Sequence, residues 1–336
     1  MAPVENRQYP VFERSVAMSV LRITGATAGL AAILVTAPGH STVRAASPRD
    51  QMLTPVAWLA QHLADPNLVV LQVGETATYK REHVPGAQAA DMGEFAAPMD
   101  HTASAPANQI MLELPGDDQL RTTLQGFGVS DTSRIVIVES DNWFSPSTRI
   151  YLTLVHAGLG ANTSLLDGGL AAWKAAGQKT TAEIPPVKAG TLSPLKAVQV
   201  TVDSSYVQAH EKSPGVTIVD VRSTEAWEGK EKVGPRDGPE RFGHIPGSHS
   251  LPLEKLWDES KSALRPAAEL EKLFADAGVK PDDTVIGYCY VGQRATATLF
   301  AAQSLGHKVL LYDGSMDEWS KLNLPLEMPA KKGGGR

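Results

Sequence analysis

The chain of 336 residues holds a single cysteine, Cys289, and the residues around it decide what chemistry that thiol can do. It follows Thr284-Val285-Ile286-Gly287-Tyr288, an apolar run of strand length, and precedes Arg294 to Leu305, whose composition reads as a helix. A strand-to-helix turn closed by Gly292 gathers the backbone N–H groups of residues 290 to 294 and a helix N-terminus around the sulfur. Such a nest of donors stabilises an anion and favours the thiolate, the form that attacks electrophiles. A free thiol is more commonly buried and inert. The loop is what turns the reading toward a nucleophile. One cysteine and nine histidines in no paired motif make no zinc site, so neither a metal nor another cofactor is expected.

The elements that must hold this turn occur twice. In the first half LVVLQVGE precedes REHVPGAQ, SRIVIVES leads to STRIYLTLVHAGLG, and SLLDGGLAAWKAAG follows. The second half runs VTIVDVRS, RFGHIPGSH, DTVIGYCYVGQRATATLFAAQSLG and VLLYDGSMDEW. Leu166-Asp167-Gly168 and Tyr312-Asp313-Gly314 are each followed, at the same distance, by a tryptophan, Trp173 or Trp319. Short apolar runs alternate with helix-like stretches, so each half reads as an α/β unit, a parallel sheet flanked by helices. The expected layout is a first domain over residues 46–182, a Pro- and Gly-containing linker over 183–196, and a second domain over 197–330.

The repeat separates scaffold from chemistry. His83-Val-Pro-Gly and His244-Ile-Pro-Gly occur in both halves while the thiol occurs in one, so His244 reads as a turn-stabilising residue rather than a general base. Where Cys289 stands in the second half the first has Asp141, which is expected to cap the turn that follows it. Between its first strand and the His-x-Pro-Gly turn the second half carries an insertion, GKEKVGPRDGPERFG, a loop by composition. Its cations are Lys230, Lys232, Arg236 and Arg241, and substrate contact by at least one of them is expected, since functional loops gather at the carboxyl ends of parallel strands.

Composition bounds the rest. A formal net charge of −6, with no long basic block, argues against nucleic acid as the main partner. Ile23 to Ala37 is apolar and uncharged, is preceded by Arg14 and Arg22, and is followed by Val43-Arg44-Ala45. Those are the parts of a secretory signal peptide occupying residues 1–45, with an uncleaved N-terminal anchor as the other reading. Cleavage predicts an exported protein, periplasmic or secreted, with no membrane attachment after processing. A lone cysteine can form no internal disulfide, and that leaves the thiol without a partner in its own chain.

The combination of DVRSTEAW, GHIPGS, YCYVGQR and YDGSMDEW, spread over nearly all of the chain past residue 45, resembles the tandem-domain rhodaneses. In that family an inactive first domain precedes a catalytic second one. The resemblance implies an active-site loop of Cys289-Tyr290-Val291-Gly292-Gln293-Arg294 that binds substrate, and an Asp-x-Arg pair, Asp220 and Arg222, that orders the region. It implies that the thiolate takes the outer sulfur of a small-molecule donor as a persulfide and hands it to a thiol or to cyanide, with ping-pong kinetics. Thiosulfate is the favoured donor, on charge complementarity. The alternative, 3-mercaptopyruvate, is held in the family by arginines. Pro235-Arg236-Asp237-Gly238 resembles that segment, but the second arginine would fall near Trp227. A related phosphatase would need Cys-x5-Arg to encircle a phosphate, whereas Cys289 to Arg294 is one residue shorter. A non-catalytic binding module fits the first half and not the second, and a redox sensor would want a resolving cysteine.

Overall fold

The computed structural model describes residues 46–102, 106, 109–141, 144–233, 240–258 and 263–329. The signal-peptide reading of residues 1–45 lies outside the described residues. Among those described, no helix is long and apolar enough to cross a membrane. Ala45–Arg336 forms one compact unit.

Valine-, isoleucine- and leucine-rich runs such as Leu68–Val73, Arg134–Glu139, Val216–Asp220 and Thr284–Tyr288 are buried along almost their whole length. That is the signature of strands covered on both faces, hence of parallel sheets with helices on either side. Two five-stranded sheets result. Across the first, the order is Leu53–Thr54, Thr163–Leu166, Arg134–Glu139, Leu68–Val73, Gln88–Ala90, every neighbouring pair parallel. Across the second it is Thr201–Val202, Val309–Tyr312, Thr284–Tyr288, Val216–Asp220, His249–Ser250, again all parallel. The same order shows that the sequence repeat is a repeat of architecture. Residues 183–196 between the halves carry neither helix nor strand.

The halves adhere through two helices, Phe144–His156 of the first and Ala295–Ser304 of the second. In Ala295–Ser304 every residue but Gln303 is buried, so the helix is enclosed on nearly every side. Its outer face meets aromatic side chains of the other half: Tyr151 lies edge-on to Phe300 at 5.0 Å and Phe144 at 5.6 Å. Phe144 also stacks on Trp257 at 4.1 Å. One hydrophobic core therefore runs through both halves, and Cys289 belongs to it.

Candidate active site

Strand Thr284–Tyr288 is the middle strand of its sheet, and its carboxyl end delivers Cys289 to the edge where ligands bind in such folds. The turn that follows is held from below by the Asp-Gly-Ser turn after Val309–Tyr312. The Cys289 N–H donates to Ser315 Oγ at 3.1 Å, Met316 N–H donates to the Cys289 carbonyl at 3.1 Å, and Asp317 N–H to the Tyr290 carbonyl at 2.9 Å. Ser315 sits at φ 48, rare for a residue with a side chain, and its hydroxyl donates to the Tyr312 carbonyl at 2.9 Å. Gly292 is at φ +75, and a Cβ there would stand 2.6 Å from the Asp313 carbonyl oxygen. Only glycine closes this turn. Among the described residues no protein acceptor takes the backbone N–H of residues 290, 291, 292, 293 or 294. Donors left bare in a row are uncommon in a folded chain, and a nest of them is a place for an anion. Cys289 itself is 1% exposed.

The side chains of the loop divide. Tyr290 lays its ring against the Arg222 guanidinium, 5.5 Å from carbon to ring centre, and its hydroxyl donates to Glu231 Oε2 at 3.0 Å. Burial and then the Glu231 hydrogen bond push its phenol up to about 12. Val291 is half-buried. Two residues expected to bind substrate have partners of their own in the structure. Gln293 is directed to the first half, where its Nε2 donates to Ser145 Oγ at 3.2 Å, because the helix that starts at Ala295 packs its first turn there. Arg294 is captured by the opposite charge of Glu254, and its buried Nε has no partner among the described residues. What the loop offers an anion is its backbone.

Beneath the loop lies a charged network with almost no access to water. Asp220 and Arg222 are 0% and 1% exposed, and Arg222 Nη2 donates to Asp220 Oδ2 at 2.6 Å and to the Gly243 carbonyl at 2.9 Å. Burial alone would lower the arginine, but the charge and hydrogen bonds of Asp220 outweigh it and raise it. Tyr288 Oη donates to Asp220 Oδ2 at 2.6 Å, accepts from Ile245 N–H at 3.1 Å and shares a 2.9 Å bond with Ser248 Oγ. Burial first, and the Asp220 charge second, hold this phenol well above its ordinary range. Tyr288 was absent from the sequence reading of the site. The available signal was a phenol at the end of an otherwise apolar buried strand, since such a hydroxyl needs a partner.

The insertion is more ordered at its base than its composition predicts. Lys232–Val233 and Arg241–Phe242 pair as a short antiparallel ladder, and Arg236 lies outside the described residues. Of the cations expected near substrate, Lys230 pairs with Glu228, and Arg241 donates to the carbonyls of Trp319 and Leu324. His244 serves the scaffold: Nδ1–H donates to the Trp227 carbonyl at 2.7 Å, the ring stacks on Trp227 at 4.1 Å, and its backbone bridges to Glu327. His83 makes the matching bridge to Thr181.

The first half shows what the site becomes without its chemistry. Gly74 stands where the second half has Arg222, but the register of the strands puts Glu139, not Asp141, where it has Cys289; Asp141 lies two residues further on. Asp141 accepts from Ser140 Oγ at 3.0 Å, from Thr78 Oγ at 2.8 Å and from the Glu75 N–H. It was expected to cap its own following turn; these bonds instead tie it to the start of helix Thr76–Arg81. A cavity of about 480 Å³ opens beside it, lined by Glu75, Thr76, Asp91, Met92 and Pro146 among others.

Comparison with known proteins fits this geometry. The profile of the rhodanese-like domain matches residues 55–176 and again 203–322. The chain belongs to the rhodanese family. This rhodanese is 29% identical over 292 residues to a putative thiosulfate sulfurtransferase of Saccharopolyspora erythraea, covering 85% of this chain and 99% of that protein. It is equally 29% identical, over 281 residues, to a probable 3-mercaptopyruvate sulfurtransferase of Pseudomonas aeruginosa, covering 80% and 94%. In fold it is similar to SseA of Escherichia coli, a 3-mercaptopyruvate sulfotransferase, with TM-score 0.64 and 24% identity over 79% of this chain and 98% of the other. It is similar too to an anaerobic ergothioneine biosynthesis enzyme from Chlorobium limicola, with TM-score 0.72 and 20% identity over 84% and 71%.

Proposed function

We propose that this rhodanese-family sulfurtransferase takes sulfane sulfur from thiosulfate through Cys289 and passes it to cyanide or a thiol. The observation that carries the reading is the run of five backbone donors, residues 290–294, that no acceptor among the described residues takes, directly after the only cysteine of the chain. In the first step the Cys289 thiolate attacks the outer sulfur of thiosulfate. The S–S bond of the donor breaks, its electron pair leaves with sulfite, and a cysteine persulfide anion remains. The terminal sulfur then carries the charge, and the loop N–H groups are the groups available to hold it. In the second step cyanide or a thiolate attacks that terminal sulfur, and the electron pair of the persulfide bond returns to Cys289. Asp220 and Arg222 order the strand end and the loop, and neither touches the reacting atoms in this scheme.

Thiosulfate is preferred to 3-mercaptopyruvate on charge. A compact dianion suits a backbone nest, whereas a carboxylate clamp calls for arginines, and Arg222, Arg241 and Arg294 are engaged by Asp220, by backbone carbonyls and by Glu254. The test is kcat/KM for both donors side by side, with Cys289→Ser as the control for the nucleophile. The expected result is a higher kcat/KM for thiosulfate and less than a few per cent activity in the variant. A higher value for 3-mercaptopyruvate overturns the donor, and retained activity in Cys289→Ser overturns the nucleophile.

A further inference from the structure

One buried ion pair between the halves lies against the catalytic loop. Arg149, on helix Phe144–His156 of the half without a thiol, is 1% exposed and donates from Nη1 to Asp313 Oδ1 at 2.5 Å. Its Nη2 donates to the Leu112 carbonyl, and Asp313 Oδ2 accepts the Leu114 N–H at 2.9 Å. A Cβ on Gly292 would lie 2.6 Å from the Asp313 carbonyl oxygen, 3.1 Å from its Oδ1 and 3.3 Å from Arg149 Nη1. The middle of the loop thus rests on the pair itself. The same turn continues into Ser315, Met316 and Asp317, which hold Cys289 and Tyr290 by three hydrogen bonds.

Adhesion of the halves does not require this pair, because Phe144, Tyr151, Trp257 and Phe300 already pack across the boundary. Nor is a buried pair a strong source of stability, since desolvation offsets most of its attraction. What it supplies is a fixed geometry directly under the loop.

We propose that Arg149 is a positioning residue for sulfur transfer: through Asp313 it fixes the 289–294 loop in the shape that keeps its backbone donors free for the sulfur-bound anion. The half without a thiol therefore takes part in the reaction from beneath. This rests on Cys289 being the nucleophile and is independent of which donor loads it.

The test uses the full chain and three variants: Arg149→Met, Asp313→Asn and Arg49→Met. Arg49 is the control, because it bridges the halves through the carbonyls of Leu264 and Arg265 and touches nothing in the loop. Two quantities are read: kcat and KM for sulfur transfer, and the pH profile of Cys289 alkylation by iodoacetamide, followed by intact mass. The chain has one thiol, so the second readout is unambiguous. Loss of loop geometry is expected to lower kcat by roughly 10- to 100-fold in Arg149→Met and in Asp313→Asn, with KM within about threefold. Both variants are expected to move the alkylation profile to higher pH. The sign is decisive. Arg149→Met removes a positive charge and Asp313→Asn a negative one, so a pure field effect would move the two profiles in opposite directions. Asparagine keeps the shape of Asp313 but cannot accept from both Arg149 and the Leu114 N–H. Arg49→Met should leave kcat and profile unchanged. Opposed shifts, kcat within a factor of two of wild type, or equal effects in Arg49→Met each overturn the proposal. If Arg149→Met does not fold, Asp313→Asn decides alone by the direction of its shift. Absence of transfer from thiosulfate in the wild type defeats the donor assignment, and the alkylation profiles still decide the role of Arg149.

Discussion

Removing the hydroxyl of Tyr288 is the sharpest perturbation of the buried network, because phenylalanine keeps the ring and opens no cavity. The hydroxyl makes three contacts, to Asp220, Ile245 N–H and Ser248. A hydrogen bond to a charged group contributes about 1.5–3 kcal/mol, and a buried N–H left without an acceptor costs about 1–3 kcal/mol. Ser248 is free to rotate toward another acceptor, so its share is small. With relaxation taking the lower part of each range, Tyr288→Phe should destabilise the protein by about 2.5–4 kcal/mol. At roughly 2–4 °C per kcal/mol for a chain of this size, Tm falls by about 5–16 °C. Ser248→Ala should cost about 1 kcal/mol alone and nearly nothing in the Tyr288→Phe background, because the two side chains share one bond. Urea unfolding of the two single variants and the double one measures all three values. A loss below about 1 kcal/mol in Tyr288→Phe, or full additivity with Ser248→Ala, would refute the claim that this hydroxyl anchors the network.

Burial lowers the His244 imidazole below its ordinary range, so at mildly acidic pH the unfolded chain binds a proton that the folded one does not. Its contribution is complete above about pH 6.5 and is lost as pH falls, with a slope of at most about 1.4 kcal/mol per pH unit. His244→Asn should flatten the acid limb of a stability–pH curve. If Arg236 holds the anionic end of the donor, Arg236→Ala should raise KM more than it lowers kcat, with kcat/KM reduced roughly 10- to 150-fold; an unchanged KM in steady-state assays removes that residue from the site. Residues 1–45 are proposed to direct export, and N-terminal sequencing of the protein from its host should begin at Ala46 or Ser47. An intact N-terminus on cytosolic protein is the contrary result.

The repeat made the architecture legible, because two copies of one pattern constrain each other. The run Thr284–Tyr288 was bounded correctly from its apolar residues alone, and the helix read over 294–305 is found at Ala295–Ser304. Three features were out of reach for physical reasons. The Arg149–Asp313 pair joins residues far apart in the chain and leaves no local periodicity. The ladder of Lys232–Val233 with Arg241–Phe242 is built from two-residue strands, too short for alternation to register. The engagement of Gln293 by Ser145 and of Arg294 by Glu254 depends on where those partners lie, and that is settled by tertiary packing rather than by the loop's own sequence.

Gly74 gives the duplicated half an evolutionary direction. Its φ is +151, a conformation that favours glycine, and a Cβ there would stand 2.0 Å from Asp141 Oδ2 and 2.1 Å from Ser140 Oγ. An arginine equivalent to Arg222 would have to displace both side chains and adopt a backbone conformation that residues with a side chain rarely take. A cysteine in place of Glu139, the residue at the Cys289 position, would therefore not rebuild the site by itself. The space for the ordering arginine is held by Asp141, which also binds the Glu75 N–H and Thr78 Oγ at the start of helix Thr76–Arg81, so yielding it costs those contacts. A second catalytic centre lies several coordinated substitutions away, and this half is open to being shaped by what it does for its twin.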